Sequence, residues 1–146
     1  MGLFNTNAPV LSDASLIFQI IMLLFLVLGF LTVRVRRAFL RHGILMTSAL
    51  VLHTISILLV MVPSMLAMRG LFQNLSSTLA MIFVLHASLG SLVEVLGVYF
   101  VAVWVLERAS VKSCFGRKKL MQANIVLWIA SVLVGVYGYI LFYPPA

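Results

Sequence analysis

TLAMIFVLHASLGSLVEVLGVYFVAVWVL, residues 78–106, is the stretch that decides the fold. Across its whole length it carries two side chains that bear or readily take a charge, His86 and Glu94. About 20 residues at ~1.5 Å each cover a ~30 Å hydrocarbon layer, so this run is long enough to cross one. Inside lipid no water is available to backbone amides, and a lone apolar segment satisfies them as a helix. A buried strand or soluble core helix has no need of so long an apolar run.

Three further runs reach spanning length, at residues 14–33, 44–68 and 120–141. The 146-residue chain is 64% hydrophobic and 9% charged, which leaves room for one membrane domain and no soluble one. The links are about ten, nine and thirteen residues long, and short links force antiparallel neighbours. The expected fold is all-α, an integral membrane four-helix up-down-up-down bundle. Residues 14–143 form the single transmembrane domain, with outer tails at 1–13 and 144–146.

A net charge of +7 could suggest nucleic acid, but the placement of the charges excludes it. Arg34, Arg36, Arg37 and Arg41 crowd the first link, and Arg108, Lys112, Arg117, Lys118 and Lys119 the third. Arg69 stands alone in the second, and the tails have no Lys or Arg. The positive-inside rule puts the two basic links in the cytoplasm and both termini outside, in a multi-pass protein of the cell membrane. The basic links then act as topology signals and contacts for anionic lipid. Cys114 is the only cysteine, so an internal disulfide and a multi-cysteine zinc site are excluded. The first run lacks a basic start and is followed by an arginine-rich flank, which argues against a cleaved signal. The myristoylation-like start Met1-Gly2 and the sequon at Asn74 both match short patterns that arise by chance.

Pro63 interrupts the second helix and should kink it near Leu59. Ala87, Gly90, Ser91 and Gly97 on the third helix, and Ser131, Gly135 and Gly138 on the fourth, offer close-approach faces. Trp128, Tyr137, Tyr139 and Tyr143 read as packing or interface anchors.

The chemistry must come from a small polar set. His42, His53 and Ser64 follow one another at eleven-residue intervals, which places them on one stripe of a straight helix. His86, Gly90, Glu94 and Gly97 share a broad face of the next. Counted from the helix ends, His53 and Glu94 are nearly level, whereas His86 sits ~10 Å above His53. A His53–Glu94 hydrogen bond or ion pair is the cheapest arrangement for two buried ionisable groups. It serves either as a satisfied internal pair or as a proton relay or cofactor-linked pair. Imidazoles on adjacent helices also raise haem b, with His53, His86 and His42 as candidate ligands. Met61, Met65 and Met68 lie at i, i+4, i+7 near the level of His86, so a copper(I) site from Met61, Met65 and His86 is a further candidate. The alternative for these methionines is adaptable packing.

Three stretches resemble the family catalogued as domain of unknown function 420, small four-helix membrane proteins that include a haem-copper oxidase maturation factor. Residues 41–49, RHGILMTSA, are similar to its His-x-x-x-Met-x-x-Ala helix opening. Val84-Leu85-His86-Ala87 resembles its early histidine in the next helix, and Arg117-Lys118-Lys119 with Trp128, Gly135 and Tyr139 its closing helix. The likeness spans residues 40–142. The family pattern implies histidine pairs at two depths. Here His42 and His86 stand for one member of each, with Lys118 and Ser64 near the positions of the others, and His53 is additional. The resemblance implies a non-catalytic accessory or assembly subunit of a respiratory-type redox complex of haem-copper oxidase kind, within a larger membrane protein complex. A haem-b electron carrier and an outer-face copper(I)-handling protein are the alternatives. No nucleophile–base pair or phosphate loop points to an enzyme.

Overall fold

The computed structural model describes residues 7–67, 69–70, 77–107 and 116–143. Four long helices make up almost all of it: α1 (Val10–Arg36), α2 (Phe39–Ala67), α3 (Thr78–Leu106) and α4 (Lys118–Phe142). No strand occurs among the described residues. All four are long and apolar enough to span a bilayer. The chain is a multi-pass membrane protein of the helical-bundle class. Arg108, Lys112, Cys114, Met68, the Asn74 sequon and the extreme tails lie outside the described residues.

Helices α1 and α2 pack as one hairpin and α3 and α4 as another, laid together through α2–α3 and α1–α4 contacts. At their junction Met22 and Leu26 of α1, Ala49 of α2, Val93 of α3 and Trp128 of α4 form the apolar core. Leu24, Leu58, Val95 and Leu133, one per helix, are 55%, 60%, 66% and 64% exposed on the outside. Such a surface is stable only against hydrocarbon or another apolar protein.

The helices outrun the predicted spans. The expected ten-residue first link is only Arg37 and Ala38. Helices of this length exceed the hydrocarbon layer, so their ends continue into the polar layer where arginine is at home. Arg37 takes the left-handed conformation at φ 51°, and the amides of Arg37 and Ala38 turn back onto the Val33 and Thr32 carbonyls. At the other end α1 begins at Val10, which draws Asp13 out of the expected tail and into the first helical turn. Ser77 caps α3, its hydroxyl accepting the Ala80 amide at 3.3 Å.

Pro63 acts through the turn before it. Residues Ile57–Met61 form a π-helical turn in which the Val62 amide reaches the Ile57 carbonyl. The proline ring crowds the carbonyl four residues back, and widening the turn relieves that crowding. The straight-helix stripe is broken between His53 and Ser64. Even so, the segment is re-aimed so that Val60, Met61 and Ser64 face one cleft.

The glycine faces are filled by side chains. A Cβ on Gly97 would lie 2.6 Å from Leu50, and one on Gly138 would lie 3.2 Å from Ile82. Gly29 receives Met46, and Gly43 receives the Trp104 ring. Ser91, expected on the close-approach face, is exposed instead.

Candidate functional site: a polar column through the bundle

At mid-height the expected pair is formed. His53, 7% exposed, donates from Nδ1 to Glu94 Oε2 at 2.8 Å. The Thr54 hydroxyl lies 2.6 Å from Glu94 Oε1 and 3.0 Å from the Leu50 carbonyl. It has one proton, and an ionised carboxylate is the stronger acceptor. The Trp128 ring packs against the imidazole with centroids 5.2 Å apart. Two ionisable groups at this depth are tolerable because each satisfies the other.

His53 Nε2 looks the other way. It and the Met61 methyl would each lie 3.9 Å from a Cβ on Gly90, and Ser131 Oγ 3.8 Å from the same point. Gly90 therefore opens a small space where the imidazole, a thioether and a hydroxyl converge.

Towards the chain termini lies a cleft of about 130 Å³ lined by Ser12, Ser15, Gln19, Met61, Ser64, His86 and Tyr139 among others. His86 donates from Nδ1 to the Ser131 carbonyl at 2.9 Å. Its ring lies over Gly135, whose Cβ would stand 2.7 Å from His86 Cε1 and 3.1 Å from Gln19 Oε1. Beside the cleft, Asp13 is fully buried and accepts a short hydrogen bond from the Tyr139 hydroxyl. Ser15 and Ser56 stand 3.4 Å apart between α1 and α2.

Towards the arginine-rich end lies a second cavity of about 70 Å³. It is walled by Leu26, Met46, Leu50, Phe100, Trp104 and Trp128, with His42 and Asn124 as its main polar members. His42 donates from Nδ1 to the Gly29 carbonyl at 2.9 Å. At the mouth of this end Arg117 donates to the Tyr99 hydroxyl and to Glu107, both at 3.1 Å. Those hydrogen bonds, Tyr99 first, raise the already high pKa of its guanidinium.

All three histidines thus have Nδ1 held by a carbonyl or carboxylate, the way metal-bound imidazoles are oriented. The surroundings fit a haem less well. The two cavities beside the histidines, about 130 and 70 Å³, are smaller than the ~300 Å³ at which ligand pockets begin. For copper, Met61 and His86 do share the outer cleft, but Met65 lies outside its lining and is 36% exposed. No cluster of three or more His, Cys, Asp or Glu suited to a metal occurs among the described residues.

The spacing of the chain pairs His53 with Glu94 and marks His42, Met61, Ser64 and His86, but not the other members of the column. Asp13 falls in the expected outer tail and Tyr139 among the expected packing or interface anchors, while Gln19, Thr54, Trp104 and Asn124 belong to no spacing motif. The available signal was polarity inside an apolar run: Gln19 and Asn124 are amides within otherwise lipid-compatible stretches.

No protein-family model matches the chain, and neither a curated protein nor a solved structure does so.

Proposed function

We propose that this chain is a small polytopic accessory or assembly subunit of a respiratory-type redox complex of haem-copper oxidase kind, seated in the cell membrane with both termini outside. The observation that carries the reading is the inward turn of its polar side chains. His53, Glu94, His86, Asp13 and Asn124 face the bundle interior, and every helix presents large exposed apolar side chains. The apolar surface suits burial against lipid or a larger membrane protein. The sequence likeness over residues 40–142 supplies the redox context.

The test is co-purification. A tagged chain, cross-linked in native membranes and solubilised in mild detergent, is expected to migrate with a larger complex that contains haem. Recovery as a lone monomer from cross-linked membranes would overturn the reading.

The copper(I) alternative is favoured by one observation, the shared cleft of Met61 and His86. It predicts bound Cu(I) that is lost in Met61→Ala. A haem-b carrier would show a Soret band that disappears in His86→Ala and in His53→Ala.

A further inference from the structure

Among the described residues three buried side-chain polar atoms have no hydrogen-bond partner: Gln19 Oε1, Trp104 Nε1 and Asn124 Oδ1. Each belongs to a residue lining one of the two cavities. Gln19 is on the outer cleft, Trp104 and Asn124 on the inner cavity. A buried donor or acceptor left unmade is costly, and internal water is the usual remedy where space allows. One water needs ~10–15 Å³ of such space and two or more polar partners. Cavities of about 130 and 70 Å³ meet the first condition. Gln19, His86, Ser64 and Tyr139 are among the polar groups around the outer cleft, and Trp104, Asn124, His42 and Thr47 are those around the inner cavity, whose wall is otherwise apolar.

Between the two cavities stands one imidazole with two distinct sides. His53 Nε2 faces the Gly90 space, and the Met61 methyl that shares this space also lines the outer cleft. Its Nδ1 faces Glu94, whose Oε1 accepts from Thr54, and Leu50, one turn before Thr54, and Gly97, three residues on from Glu94, are among the residues that line the inner cavity.

We propose that the bundle transfers protons between its two ends, with His53 and Glu94 as the relay between water in the outer cleft and water in the inner cavity. A hydronium in the outer cleft gives its proton to His53 Nε2. The imidazolium passes its Nδ1 proton to Glu94 Oε2. The carboxylic acid releases that proton to inner water and becomes carboxylate again. The neutral ring, now protonated at Nε2, swings so that Nε2–H faces Glu94, and the bare Nδ1 takes the next proton from the outer side. One proton crosses, and no electron or co-reactant is consumed.

Other ionisable groups face the relay. His86 on α3 is bonded to the carbonyl of Ser131, whose hydroxyl borders the same Gly90 space as His53 Nε2. Asp13 on α1, with Tyr139 on α4, flanks the outer cleft, and His42 on α2 borders the inner cavity. The relay is a property of the bundle alone and stands apart from the accessory-subunit reading.

The experiment uses the full chain reconstituted into phosphatidylcholine–phosphatidylglycerol vesicles loaded with pyranine, with a potassium–valinomycin potential as driving force. Proton entry at least threefold faster than in protein-free vesicles is expected. Glu94→Gln and His53→Gln should each return it to the protein-free rate. Asn124→Leu leaves the pair intact and fills the inner cavity, so it should cut the protein-dependent rate at least threefold. Circular dichroism and gel filtration establish which variants are folded, and Asn124→Leu decides the matter if the relay variants are not. Wild-type flux equal to that of empty vesicles overturns the proposal, as does flux unchanged in the folded variants.

Discussion

The two halves of the bundle are closed by opposite means. At the arginine-rich end large side chains enter glycine notches: Trp104 on Gly43, Met46 on Gly29 and Leu50 on Gly97. At the terminal end the π turn before Pro63 opens α2, and serines, an amide, an imidazole and a buried Asp13–Tyr139 pair fill the space. The first half is held by dispersion across close contacts, which falls off steeply with distance. The second is held by directional hydrogen bonds, which tolerate wider spacing and admit water. The His53–Glu94 pair sits where the two styles meet.

The largest break should come at that junction. Glu94→Ala strands a buried imidazole and is expected to cost about 3 kcal/mol, since removing one partner of a buried pair costs roughly 3–5 kcal/mol. A double variant, His53→Phe with Glu94→Leu, should recover most of the loss. Unfolding in detergent, followed by circular dichroism, measures both, and a double variant no better than the single would show that the pair is needed for folding itself.

Gly43→Ala tests the tight half. The added methyl meets the Trp104 ring, an overpacking that typically costs roughly 1–3 kcal/mol. Gly138→Ala, at 3.2 Å from one Ile82 methyl, should cost clearly less. Equal effects in the same unfolding assay would erase the distinction between the halves.

Tyr139→Phe tests the polar half by removing the hydroxyl that donates to Asp13. About 1.5 kcal/mol is expected, the low end for hydrogen bonds to charged groups. The loss should appear as lower thermal stability at neutral pH.

The smallest effect on stability belongs to Pro63→Ala. Restoring the missing amide should let residues 57–61 wind as ordinary α-helix, with a net change within about 1 kcal/mol. Hydrogen exchange should show slower amides there and no change around Gly43. Unchanged protection would mean that the proline is not what opens the turn.

Much of this could be read from the chain. Four long apolar runs fix four helices, because lipid offers the backbone no other partner. The level of His53 and Glu94 followed from counting residues along rigid helices of known rise. Asp13 escaped because an acidic residue at the edge of an apolar run lowers its hydropathy and is cut away with the tail. The two-residue first link escaped for a related reason. Hydropathy marks where hydrocarbon ends, whereas a helix ends where its last carbonyls find other donors, here at left-handed Arg37. The π turn escaped because a proline announces only that a hydrogen bond is lost, not how the neighbouring turn responds.

Composition and spacing by themselves determined a four-helix membrane chain with basic residues gathered at one end and an ionisable pair at mid-depth. Only the packed structure decided that Tyr139 reaches Asp13 across 126 positions. It also decided that His86 spends Nδ1 on the Ser131 carbonyl and that the unpartnered amides and indole gather on two cavities flanking the pair. Helix formation depends on neighbours three and four residues away, so a linear reading reaches it. The facing of one helix on another depends on side-chain volumes and notches contributed by all four, and those meet only in three dimensions.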